Sequence, residues 1–213
     1  MSPLKINYPN GQSFHYNEND HQSRGKAKNT NKHVYANRGM SLEEDLNLTN
    51  QQYLMEDVAV IHKKPTPIQV VKVDYPRREA AKIIEAYYRR SSTTDYNGVY
   101  KGYYLDFEAK ETKNKTSFPL NNFHEHQIKH MKQSTKHGGI CFTILRFSTL
   151  NETYLIRADF LFDWWRQQFQ KGGRKSIPLK NIQEENYLIP LSYNPRIPYL
   201  KIVDLLIKER GQK

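Results

Sequence analysis

Beyond about residue 40 the chain alternates between stretches with apolar positions every three to four residues and shorter runs of β-branched and aromatic residues. Leu42, Leu46, Leu48, Tyr53 and Leu54 give a rough helical face behind Ser41, a good N-cap. Glu43, Glu44 and Asp45 stand in the first turn, where the helix dipole favours anions, so a helix is predicted to about residue 55. Val58 to Ile61 and Ile68 to Val73 are β-branched runs split by Pro65-Thr66-Pro67 and predict two strands. Between Arg77 and Tyr88, Ala80, Ile83, Ile84, Tyr87 and Tyr88 fall at helical spacing among basic residues, which predicts an amphipathic helix. Ser91 to Gly98 is rich in turn formers, and Val99 to Lys110 predicts a strand. Asn121 to Lys136 predicts a helix ending at Gly138-Gly139, and Ile140 to Phe147 with Thr153 to Ile156 a hairpin. Asp159 is placed to cap a helix running to Phe169 and stopped by Gly172-Gly173, and Pro198 to open a last helix carrying Leu200, Val203, Leu206 and Ile207. The order of elements predicts a mixed α/β domain without internal repeats.

Composition sharpens this picture in three places. Residues 1–36 hold almost no aliphatic side chains and cannot bury enough surface to offset their ordering entropy, so a disordered basic arm is expected there, with one domain over 37–213. The formal charge of +11 points to an acidic polymer as partner. The one cysteine, Cys141, excludes an internal disulfide and lies in the apolar run Ile140-Cys141-Phe142 of a predicted core strand. No stretch approaches the roughly 20 apolar residues of a membrane span, and Met1 to Lys5 lacks the apolar run of a secretory signal, so a cytoplasmic protein is expected.

The candidate chemistry lies between Thr93 and Gln127. In the predicted strand, residues two apart share a face, which puts Glu108 and Lys110 together and turns Phe107 and Ala109 away. A carboxylate can hold a divalent cation through oxygen, and an ammonium beside it can steady charge developing on phosphorus. Asp95 lies upstream across the Asn97-Gly98 turn region, where a hairpin or bend would bring it alongside Glu108. Taken alone, Glu-x-Lys describes an exposed salt-bridged pair equally well. Asp106 shares the Glu108 face and reads either as a second metal ligand or as a solvated strand residue. Gln127, in helical register with Phe123 and Met131, reads either as an amide whose oxygen meets a metal-bound water or as an ordinary core-edge amide. His124, His126 and His130 form no HExxH pattern, because Ile128 stands where it needs histidine; a phosphate-facing helix edge with Lys129, Lys132 and Lys136 is the better account. No glycine-rich phosphate loop is present, which argues against a nucleotide site.

Taken together, Thr93-Thr94-Asp95-Tyr96-Asn97-Gly98, Asp106-Phe107-Glu108-Ala109-Lys110 and Gln127 resemble the active-site pattern of RecU Holliday junction resolvases, within the PD-(D/E)xK nuclease superfamily. Asn37-Arg38-Gly39-Met40-Ser41-Leu42-Glu43 is similar to the start of that family's first helix, and Val70 to Tyr88 is similar to its stalk segment, so the likeness spans about residues 37–205. The resemblance implies a restriction-endonuclease-like fold, a central mixed sheet flanked by helices, with a protruding stalk over about residues 63–92 that enters the middle of the junction. It implies that Thr93, Asp95, Glu108 and Gln127 surround Mg²⁺, with Mn²⁺ as an alternative, and that Lys110 stabilises the transition state. The superfamily's Pro-Asp pair is replaced by Thr94-Asp95, and the carboxylate that carries the chemistry is kept. Glu43 matches a first-helix glutamate that supports the metal site in archaeal resolvases. Arg38, Arg77, Arg78, Arg89 and Arg90 are expected on phosphates, and Tyr87 and Tyr88 on unpaired bases. The implied activity is paired, symmetric nicking of four-way DNA by a homodimer, leaving 5′-phosphates, with the RecA recombinase and the branch-migration machinery as further partners. A non-catalytic junction-binding accessory protein and a different nuclease of the same superfamily are the rivals.

Overall fold

The computed structural model describes residues 41–89 and 93–211 of the 213-residue chain; the expected arm over 1–36, Arg38 and Arg90 lie outside the described residues. The first helix, α1 (Leu42–Met55), begins as predicted. Ser41 Oγ accepts from Glu44 N at 3.2 Å, Glu44 Oε2 accepts from Ser41 N at 2.8 Å, and this capping box satisfies two of the helix's orphan donors. Ten strands follow, interleaved with helices: β1 (Val60–Lys63), β2 (Ile68–Asp74), β3 (Lys82–Tyr88), β4 (Tyr96–Tyr100), β5 (Tyr103–Thr112), β6 (Ser117–Pro119), α2 (Glu125–Lys136), β7 (Ile140–Phe147), β8 (Glu152–Arg157), α3 (Ala158–Gln167), β9 (Ser176–Pro178), α4 (Leu179–Glu185), β10 (Tyr187–Leu188) and α5 (Leu200–Gly211). Six strands form one mixed sheet in the order β1-β4-β5-β7-β8-β10. Only β5 and β7 run parallel, joined by the crossover through α2.

Both faces of the sheet are covered, as the all-buried β7 requires. Phe107 of β5 and Phe142 of β7 project toward α1 and α5 and pack with Leu46, Tyr96, Tyr199 and Val203. Phe107 stacks on Tyr96 (4.9 Å, 5°) and on Phe142 (4.7 Å, 11°), an aromatic ladder across three strands. The opposite face packs Cys141, Leu145 and Phe147 against Phe118, Ile128 and Met131 under α2, and α3 joins this layer through Phe160 and Leu161. Cys141 is buried as expected, and burial pushes its thiol up to about 11.

The predicted helix over Arg77 to Tyr88 is corrected. Arg78–Ala80 is a single 3-10 turn, and Lys82–Tyr88 is strand β3, antiparallel to β2 in a separate two-stranded sheet. The spacing that mimics a helix is two β-branched and aromatic pairs, Ile83-Ile84 and Tyr87-Tyr88, and pairing with the Val70-Val71-Val73 run outweighs the 3.6-residue period. Every residue of β2 and β3 is exposed, and a bulge interrupts the register around Val70 and Lys72. This hairpin occupies the expected stalk segment.

A second difference decides where the chemistry falls. The turn expected at Asn97-Gly98 is instead at Lys101-Gly102, both at positive φ (50° and 79°), with Tyr100 opposite Tyr103. Such a two-residue turn matches the twist of the strands it joins. Gly98 lies within β4, where β1 crosses so closely that a Cβ would sit 2.1 Å from the Val60 carbonyl oxygen.

Candidate active site

With the turn at Lys101-Gly102, Tyr96 opposes Phe107 and Asn97 opposes Asp106. Continuing that register sets Asp95 opposite Glu108. Strand alternation does the rest: Asp106, Glu108 and Lys110 face α2, while Phe107 and Ala109 turn into the aromatic core. Glu111, on the α1 side, accepts from Leu42 N at 3.0 Å and so secures the start of α1.

Glu108 is fully buried at the centre. Its Oε1 receives the Lys110 ammonium at 2.7 Å and the Gln127 amide nitrogen at 2.6 Å. Its Oε2 has no hydrogen-bond partner among the described residues. Burial first, and then the neighbouring Asp95 carboxylate, push the Glu108 carboxyl up to about 8 against the opposing pull of Lys110. Asp95 Oδ2 accepts from the backbone N–H of Ala109 at 3.4 Å, which ties β4's entry to β5 beside Glu108. Thr93 lies two residues upstream, its hydroxyl donating to the Thr94 carbonyl at 3.3 Å. Gln127 is buried in the first turn of α2, where its Oε1 accepts from His124 N at 3.0 Å and caps the helix. The amide therefore turns its nitrogen, not its oxygen, to the carboxylate. Lys110 passes over the ring of Phe123, its Nζ 5.8 Å from the centroid.

These residues fit a hard divalent cation. A buried carboxyl with one bare oxygen, raised by burial and by a second carboxylate beside it, would be stabilised in its charged form by a positive ion at that oxygen. Among the described residues no group of three or more His, Cys, Asp or Glu could hold a metal. One or two carboxylates with retained waters are what a Mg²⁺ ion commonly takes, and Asp95 and Glu108 are two.

One cluster escaped the sequence. Asp106 is neither solvated nor bare: it is fully buried, and Thr94, Lys64, Tyr104 and His130 all donate to it. Burial alone would raise its carboxyl, yet these four hydrogen bonds hold it below the usual carboxylate range. Lys64 and His130 stand in different elements from Asp106, and no local pattern links them. Tyr75, at the hairpin's far end beside Arg77 and Arg78, is 62% exposed, and its place at the tip is set by the β2–β3 pairing.

The remaining predicted residues are spread out. Glu43 forms an ion pair with Lys63 of β1. Arg77 and Arg78 are at the hairpin tip, while Tyr87, Tyr88 and Arg89 are at its base, where Tyr88 opposes Ile68 and Arg89 Nε donates to Gln69 at 3.1 Å. Tyr87 donates to Glu85, its same-face neighbour, at 2.6 Å. Tyr87 and Tyr88 thus present opposite faces of a strand. No helix among the described residues is long and apolar enough to cross a membrane.

Comparison with known proteins now bears on this geometry. Residues 37–205 match the family model described as RecU: Recombination protein U. A relative from Geobacillus kaustophilus (strain HTA426), named Holliday junction resolvase RecU, is 58% identical over 201 residues, covering 94% of this chain and 97% of its own. A relative of the same name from Limosilactobacillus reuteri (strain DSM 20016) is 56% identical over 210 residues, covering 98% of this chain and 100% of its own. The solved structure of Archaeoglobus fulgidus Hjc, a Holliday junction resolvase, aligns with 68% of this chain and 93% of its own at a TM-score of 0.38 and 10% identity.

Proposed function

The chain belongs to the Recombination protein U family, and on that premise we propose that it is a divalent-metal-dependent endonuclease that resolves four-way DNA junctions in recombination and repair. The observation that carries this reading is the convergence of Asp95 and Lys110 on Glu108, whose Oε2 is left bare inside the fold. Asp95 and Glu108 would hold Mg²⁺, with Thr93 and Gln127 around it and Mn²⁺ as a substitute. When bound, the ion lowers the pKa of a coordinated water and offsets negative charge at phosphorus. Lys110, paired with Glu108 at 2.7 Å, would hold the nucleophile or the phosphoryl oxygens. Gln127 keeps the Glu108 carboxylate turned toward Asp95. Hydrolysis leaves a 5′-phosphate.

The hairpin supplies selectivity. Tyr75, Tyr87 and Tyr88 offer exposed rings for bases unpaired at the crossover, and Arg77, Arg78 and Arg89 offer cations for converging phosphates. In a two-fold homodimer, two such sites meet equivalent strands of a two-fold junction and give paired, symmetric nicks. Modulation of the RecA recombinase and contact with branch-migration machinery belong to the same reading. The test is cleavage of four-way, nicked and linear DNA with nick positions mapped, with and without Mg²⁺. Paired nicks confined to the four-way substrate and to Mg²⁺ are expected; equal cutting of linear duplex, or undiminished cutting in chelator, refutes the proposal.

A further inference from the structure

The Asp106 cluster invites a role of its own. Its two carboxylate oxygens accept from four donors, three on Oδ2 and one on Oδ1, so both oxygens are engaged. Lys64 Nζ lies at 2.9 Å, Tyr104 OH at 2.8 Å and His130 Nε2 at 3.0 Å from Oδ2, and Thr94 Oγ1 donates to Oδ1. Neither oxygen is bare, in contrast to Glu108 Oε2 two residues along the same face. The donors also occupy telling places. Thr94 stands between Thr93 and Asp95. Lys64 donates from Nζ to Thr94 Oγ1 at 2.9 Å and from its backbone to the Asp95 carbonyl at 2.8 Å. His130 lies one helical turn beyond Gln127. Each jaw around Glu108 is therefore fastened to the same buried carboxylate. An aliphatic residue here, opposite Cys141, would fill the position without the cost of burying charge.

We infer that Asp106 is a positioning residue: it fastens the Thr93–Asp95 segment and α2 on either side of Glu108, so that a divalent ion meets ligands already assembled. This rests on the metal-dependent reading above. Carboxylates that orient the ligands of a metal typically matter by about 10- to 100-fold in metal affinity or activity. The experiment compares wild type with Asp106→Asn, Thr94→Val and Thr94→Ser. It measures Mn²⁺ binding by electron paramagnetic resonance, junction binding in chelator, thermal midpoint, and single-turnover cutting against Mn²⁺ concentration. Asp106→Asn and Thr94→Val should weaken Mn²⁺ binding by about 10- to 100-fold, keep metal-free junction binding, and recover cutting at raised Mn²⁺. Thr94→Ser, which retains the donor, should behave as wild type. If Asp106→Asn does not fold, the two Thr94 variants decide the matter. Wild-type Mn²⁺ affinity in Asp106→Asn and Thr94→Val overturns the inference, as does a loss of cutting that raised Mn²⁺ leaves unrestored. A wild type that neither binds Mn²⁺ nor cuts overturns the metal-dependent reading instead, so the two failures are distinguishable.

Discussion

β5 and β3 invert the usual rule of burial. β5 carries Asp106 and Glu108 at 0% exposure, whereas β3 carries Ile84 at 59% and Tyr88 at 84%. Charge normally stays in water and aliphatic surface leaves it. Neither arrangement contributes to stability in the ordinary way, and a two-stranded hairpin exposed on both faces is marginal by itself. The sheet core, with Phe107 stacked between Tyr96 and Phe142, supplies the stability that lets both departures persist. The contrast teaches that folding stability alone explains neither region; on the proposed function an ion would compensate the first and an unpaired base would cover the second.

The contrast breaks most sharply at Glu108. Glu108→Gln should reduce junction cutting to assay background while binding in chelator survives; substantial turnover would remove Glu108 from the centre. The same variant reports on linkage. In the metal-free protein the Glu108 carboxyl titrates near 8, above its ordinary 4.5, so the folded state binds more protons between these values. The contribution of this group to stability is therefore fully present below about 4.5 and is lost as pH rises toward 8. Thermal midpoints in chelator should show this decline in wild type and a flatter profile in Glu108→Gln; parallel profiles would count against the raised carboxyl. Mg²⁺ affinity should rise over the same window as the competing proton leaves.

Next comes the core that supports both regions. Phe107→Ala removes the middle ring of the ladder and should cost about 3–5 kcal/mol of unfolding free energy, measured by denaturant titration. A loss under about 1 kcal/mol would mean the sheet does not depend on that stack. Tyr87→Ala and Tyr88→Ala should each weaken four-way junction binding by about 1–3 kcal/mol per stacked base and leave linear duplex affinity unchanged. An equal loss on both substrates would assign the rings to general DNA contact. The smallest effect belongs to Ile84→Ala, expected within about 0.5 kcal/mol in stability because its side chain already faces water. A large loss there would show the hairpin to be packed against something in solution.

The chain's own pattern determined the helices α1, α2, α3 and α5 and the parity that joins Glu108 to Lys110, because each depends on spacing within one element, and it carried the family motifs in their order along the chain. It left residues 174–197 unread, where Ile177, Ile182, Ile189 and Ile197 are buried one at a time in short pieces with no period to detect. It also misread β3, whose paired apolar residues satisfy two periods at once. What the tertiary structure decided was register. Asn97-Gly98 and Lys101-Gly102 are both acceptable turns, but the first would set Asp95 opposite Tyr100, and only the second brings it to Glu108. The choice falls to Lys101-Gly102 because that register stacks Tyr96 on Phe107 and pairs Gly98 closely with Ile61 of β1. Lys64, Thr94 and His130 reach Asp106 for the same reason: hydrogen bonds between distant elements exist only after the packing of those elements has set where each side chain ends.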